Sequence, residues 1–175
     1  MKTTVKRLII ILPLLVLAVV ALVFSCTPNS SEDIAYKDEI YHEQVCEYLE
    51  NEVYSTWSEL KYKPICEYYY LGADNNYIYA YTMGTDFRKT EHGLDKTNSS
   101  QIPMRIKYKL NQEMIELEGF AFPPDGRDFT KSLFKLFPTY VRSGLVLSNE
   151  ESKNLSELVR KRACEYFGLE YVPNN

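Results

Sequence analysis

The chain has 175 residues, 45% of them hydrophobic and 25% charged, with a formal net charge of −4. Those averages join two unlike pieces: residues 1–25 hold Lys2, Lys6 and Arg7 and no acid, so the rest of the chain stands at −7. The roughly 150 residues that follow suit one domain, and their acidic surplus excludes a nucleic-acid role built on clustered Lys and Arg.

Behind the basic start comes an unbroken apolar run from Leu8 to Phe24. This is the layout of an export signal, and its length also approaches the ~17–25 residues of a membrane-spanning helix. Val23-Phe24-Ser25-Cys26 separates the two readings. An aliphatic residue, a tolerant position, a small residue and a cysteine resemble the lipobox of bacterial lipoproteins. The resemblance implies a diacylglyceryl group on the Cys26 sulfur, cleavage before that residue, and a chain held on the extracytoplasmic face of a bacterial membrane. A single acyl chain anchors only marginally, at about 0.8 kcal/mol per buried methylene, whereas two or three make the attachment permanent. Residues 26–35 are polar and lack an apolar period, so they are expected to form a disordered spacer. That leaves 36–175 as a single domain.

The domain opens with a helical pattern over 36–60. Tyr41, Val45, Tyr48, Leu49, Val53, Trp57 and Leu60 recur at three and four, with Glu43, Glu47 and Glu50 outside the stripe. After Pro64 the period changes to two, and 64–71 and 76–83 read as a β-hairpin turned by Gly72-Ala73-Asp74-Asn75-Asn76. Residues 84–100 are polar without a sustained pattern and are expected to form a long loop. Alternation returns in 102–110, and a turn at 111–113 leads into a fourth strand, 114–122. There Glu116 and Glu118 are expected opposite Lys107 and Arg105. Asp128 is placed to cap a short helix, 129–137, that Pro138 ends. Ser148 and Glu151 have the spacing of a capping box for a last helix, with Gly168 as its C-terminal cap. The fold class is therefore α+β: an N-terminal helix, a four-stranded antiparallel sheet, and two C-terminal helices packed on one face.

Phe122-Pro123-Pro124-Asp125-Gly126-Arg127-Asp128, followed by Leu133, Leu136, Phe137 and Pro138, resembles a pattern in uncharacterised secreted and membrane-attached bacterial domains. Those run from a strand through Pro-x-Asp-Gly to a short helix ending in Phe-Pro. The similarity covers residues 77–147 and implies a fold and a location, without catalytic residues.

With Cys26 lipidated, Cys46, Cys66 and Cys164 remain, an odd set that allows at most one bridge. A Cys46–Cys66 disulfide would close a loop of about 20 residues and contribute roughly 3 kcal/mol; two small buried thiols are the alternative. Cys164 falls on the wet side of the last helix. The cysteines have no paired His or metal partner at ligand spacing, His42 is expected to pack or cap at the start of the first helix and His92 to be solvated, so no catalytic residue and no metal site is expected. Asp74-Asn75-Asn76 lacks the rest of a calcium loop, and no phosphate or dinucleotide fingerprint implies a cofactor.

Tyrosine is the unusual component: 15 in the chain, concentrated before residue 82. Tyr68 and Tyr70 share one face of the first strand, and Tyr77, Tyr79 and Tyr81 one face of the second. Brought to the same side, they would form an aromatic panel on a sheet face left open for a ligand. The function expected is a non-catalytic, lipid-anchored module with the membrane and a protein or cell-wall component as partners. The alternatives are a cell-wall-directed hydrolase using Glu116 and Glu118, or an accessory subunit of a membrane complex.

Overall fold

Asp74 shows how the sheet begins. Its Oδ1 accepts the backbone N–H groups of Asn76 and Tyr77, each at 2.9 Å, and this Asx turn reverses β1 (Lys63–Ala73) into β2 (Tyr77–Thr90). The computed structural model describes residues 41–111 and 114–173. The signal, Cys26, the spacer and the 112–113 turn lie outside them. β3 (Gly93–Asn111) and β4 (Met114–Ala121) complete a four-stranded antiparallel meander in sequence order.

The expected loop at 84–100 is instead the far half of the β2–β3 hairpin. Its ladder continues from Thr85 opposite Ser99 to Thr90 opposite Gly93, with a bulge between Thr85 and Phe87. Polar pairs on neighbouring strands line this arm: Thr85 with Ser99 at 2.8 Å, Asn98 with Asp86 at 3.3 Å, and Arg88 with Asp95 at 2.8 Å. Such side chains hide the apolar alternation by which a strand is recognised.

The N-terminal helix, α1, is regular over 41–48, widens into a π turn at Leu49–Val53 and tightens into a 3₁₀ turn at Tyr54–Thr56. Its stripe of Val45, Leu49, Val53 and Tyr54 packs on Cys66, Tyr68, Ile78, Ala80, Met104 and Ile106. On the opposite face, Ile65, Met83 and Phe87 meet Leu155, Val159 and Ala163 of the last helix, α3 (Asn149–Phe167). Tyr79 meets Phe137, Val141 and Leu145, from the end of α2 (Phe129–Leu136) and the 3₁₀ segment Thr139–Leu145. The C-terminal helices thus share one face, as expected, while α1 takes the other, so each face carries a helical layer. Each fully buried Leu or Val in these layers contributes about 1.5–3 kcal/mol.

The helix ends obey their local chemistry. Ser148 and Glu151 form the reciprocal capping box, and Gly168 closes α3 at φ 63°, in the left-handed region that favours glycine. Asp128 precedes α2 but its side chain makes no capping bond. Cys164 is buried, not wet. The tail after Gly168 returns along α3, with Leu169 N–H donating to the Cys164 carbonyl at 2.8 Å and the Tyr171 hydroxyl to Glu157 at 2.6 Å. Among the described residues no helix is long and apolar enough to cross a membrane.

Candidate functional site

β4 pairs with β3 only from Arg105 to Asn111, so the outer edge of β3 before Arg105 has no strand beside it among the described residues. A cleft of about 420 Å³ straddles this bare edge at Ser100–Pro103, within the ~300–1,000 Å³ of small-ligand pockets. Trp57 and Phe122 wall it on the α1 side, and Tyr81, Phe129 and Leu145 on the α3 side. Trp57 is placed by the turn before it: the Tyr54 hydroxyl bonds Thr82 at 2.8 Å, and the Tyr54 ring lies over Gly84, where a Cβ would fall 2.2 Å from it. Trp57 then meets Tyr54 and Phe122 edge to face, at 5.5 and 5.6 Å between centroids. The indole remains 45% exposed and Phe129 37%, so apolar area faces the cleft. Ser100, Gln101 and Asp125 supply its polar groups. Gln101 is held by Ser152 of α3 at 2.7 Å.

A second constellation closes the other side of the sheet, along β1. His42, Cys46 and Glu50 recur every four residues and so form one row of α1 facing that edge. Glu50 is buried, and its Oε1 accepts the Cys66 backbone N–H at 3.0 Å, filling an edge donor that no strand among the described residues reaches. Arg162 of α3 grips Glu43 through two nitrogens, bonds Glu50 through Nε at 3.2 Å, and stands 3.9 Å from Glu67. Lys63 adds a second cation, 3.2 Å from Glu50. The Glu43 carboxyl is held below the usual range by its bond to Arg162.

Beside these ion pairs, His42 Nε2 lies 2.7 Å from Glu67 Oε2 and 3.6 Å from Cys46 Sγ, while Sγ lies 4.0 Å from the same Oε2. The imidazole stacks on Tyr68 at 4.6 Å. This is not nucleophile geometry. A base that activates a thiol faces the thiol with one nitrogen and its orienting acid with the other, whereas both groups here meet Nε2. Cys46 is also fully buried, and burial, followed by the charge of Glu67, pushes its thiol far above the ordinary cysteine range. The three donor atoms lie within 4.8 Å of one another, a grouping of the kind that holds a metal ion. The expectation that these residues lack a partner at ligand spacing is therefore corrected. The His42-x-x-x-Cys46 spacing was the available signal, and Glu67 arrives from a strand.

The other sequence candidates separate. Cys46 and Cys66 are both buried free thiols in the structure, not a bridge. Tyr68 pairs with Thr82 and Tyr70 with Ala80, on the α1 face, whereas Tyr81 pairs with Tyr69 on the other. Tyr77, Tyr79 and Tyr81 therefore lie across the sheet from Tyr68 and Tyr70, and the single panel does not form. Only Tyr81 of the five lines the β3 cleft. Glu116 sits opposite Lys109, and Glu118 ion-pairs with Lys107 at 2.7 Å and with Lys109; Arg105 instead covers the Tyr77 ring. No protein-family model, curated protein or solved structure matches the chain.

Proposed function

We propose that the chain is a lipid-anchored binding domain on the extracytoplasmic face of a bacterial membrane, and that it takes an extended peptide segment along the bare edge of β3. The cleft that straddles Ser100–Pro103 carries this reading. An extended segment laid there gains main-chain hydrogen bonds from the unpaired edge, and its alternate side chains enter the aromatic walls on either side. A long bare edge invites unwanted pairing; Pro103 and Lys96 guard this one against a flat partner strand, while the walls admit a shaped one. The location rests on the Val23-Phe24-Ser25-Cys26 motif. A subunit of a membrane complex would present such a segment, so the accessory-subunit alternative becomes one case of the same chemistry. The hydrolase alternative has less support. Bonds from Lys107 and then Lys109 hold the Glu118 carboxyl low, which suits an ion pair and not a proton donor.

The test uses Trp57, the one tryptophan. Peptides selected from a displayed library on the full chain should shift its emission saturably. They should bind Phe122→Ala at least tenfold more weakly, a loss of about 1.4 kcal/mol. Selected peptides that leave the emission unmoved, or bind Phe122→Ala equally well, refute the site. Location is tested separately: Cys26→Ala should abolish lipid labelling, and a persisting label would overturn the anchor.

A further inference from the structure

We propose that His42, Cys46 and Glu67 form a binding site for one zinc-class divalent cation at the edge of β1, remote from the cleft. Four observations carry it. The first is donor chemistry: imidazole, thiolate and carboxylate together are a zinc set, with bonds of about 2.0–2.3 Å. The second is geometry. Around a tetrahedral ion with those bonds the donor atoms stand roughly 3.3–3.6 Å apart. The observed separations are 3.6 Å (N to S), 4.0 Å (S to O) and 2.7 Å (N to O). The first already fits, and the others need shifts of about 0.4 and 0.6 Å, within the reach of Glu67 side-chain rotation. The 2.7 Å contact is the hydrogen bond that a cation replaces.

The third observation is support around the donors. Tyr68 stacks on the imidazole and fixes its plane, and Arg162 stands by the other oxygen of Glu67, leaving Oε2 to face the ring. Outer groups that orient ligands in this way are a regular part of metal sites. The π turn Leu49–Val53 begins three residues after Cys46, and such turns concentrate at functional positions. The fourth is charge. Glu43, Glu50 and Glu67 face Arg162 and Lys63, a sum of −1. A Cys46 thiolate makes it −2, which one divalent cation neutralises.

On binding, the S–H bond of Cys46 breaks, its proton goes to solvent, and a sulfur–metal bond forms; the imidazole offers the Nε2 lone pair with its proton on Nδ1. Three protein donors leave a fourth position for water. The His42 side chain, 31% exposed, opens that position to solvent.

Cobalt(II) reads the site directly, because a thiolate on a tetrahedral cobalt ion gives an intense near-ultraviolet charge-transfer band. The chelator-stripped full chain in detergent should develop that band to an end point at one equivalent, and zinc should erase it. Cys46→Ser should lose the band, while Cys26→Ser and Cys164→Ser keep it. Glu67→Gln, nearly isosteric, should weaken cobalt affinity at least ~100-fold, the upper range for outer-shell changes, with its far-ultraviolet circular dichroism unchanged. If Cys46→Ser does not fold, Glu67→Gln decides. Absence of a band in the wild type, survival of the band in Cys46→Ser, or unchanged affinity in folded Glu67→Gln overturns the site and leaves a structural ion-pair cluster.

Discussion

Arg162→Met removes a charge from the edge of β1 while keeping most of the aliphatic stem. Two carboxylates then lose their strongest cation. Glu50 is only 6% exposed at its side chain, and breaking a buried pair from one side costs about 3–5 kcal/mol. That cost is reduced because Lys63 and the Cys66 N–H still bond Glu50, at 3.2 and 3.0 Å. Glu43 is 62% exposed and adds no more than the ~1 kcal/mol of a surface pair. The net loss should be about 2–3 kcal/mol, or a Tm lower by roughly 5–10 °C for a domain of this size. The sign of its pH dependence follows from Glu43. Its folded pKa lies below the ordinary glutamate value because Arg162 bonds it. The stability it contributes is present above that value and is lost as pH falls through the folded pKa. Arg162→Met has no such contribution to lose. The gap between wild type and variant should therefore be widest near neutrality and narrow below the ordinary carboxylate range. Urea unfolding followed by far-ultraviolet circular dichroism from pH 7 to 3.5 measures it. A variant as stable as wild type at neutrality, or a gap that does not change with pH, would refute the electrostatic account.

Gly84→Val drives a side chain into the Tyr54 ring, 2.2 Å from its would-be Cβ, and should cost about 1–3 kcal/mol by overpacking and alter Trp57 emission as the 3₁₀ turn moves. Tyr54→Phe removes the hydroxyl that bonds Thr82 at 2.8 Å and also meets Ser100 and Gly84, while the Thr82 hydroxyl still donates to the Ile102 carbonyl at 3.0 Å; a loss of about 1 kcal/mol is expected in urea titration. Ser148→Ala removes the hydroxyl that accepts the Glu151 N–H in the capping box of α3, keeping only the backbone N–H to Glu151 half, and should cost about 1 kcal/mol, with hydrogen exchange accelerated first at the N-terminal turn of that helix.

Local chemistry was legible in the sequence. The Asp74 turn, the Ser148–Glu151 box, the Gly168 cap and the Pro138 stop each depend on residues within a few positions, so their spacing is enough. Features that depend on a partner strand were not. Thr85, Asp86 and Arg88 read as loop because what makes them strand is Ser99, Asn98 and Asp95 on the next strand. The tyrosine panel failed on register: Tyr69, not Tyr68 or Tyr70, stands opposite Tyr81, which puts the two sets of rings on opposite faces, and no single strand encodes that pairing. Cys164 was placed by helical phase alone, and the returning tail covers what phase left exposed.

The two flanks of the sheet show how this fold divides its work. Edge strands carry unpaired donors and acceptors that must be filled or guarded. Along β1 the chain fills them from within: Glu50 accepts the Cys66 N–H, and Arg162 ties the carboxylates of α1 and β1 to α3 across the edge. Before Arg105 the edge of β3 receives no such cover among the described residues, and the side chains beside it are aromatic walls with Gln101 and Asp125 between them. A strand edge closed by buried charge has no room for a guest chain, since any guest must displace carboxylates and cations that already satisfy one another. An edge bordered by half-exposed rings gains apolar burial when a chain is added. The same physical liability is therefore handled in opposite ways, with a charge network around the His42–Cys46–Glu67 cluster on the β1 side and an apolar cleft on the β3 side.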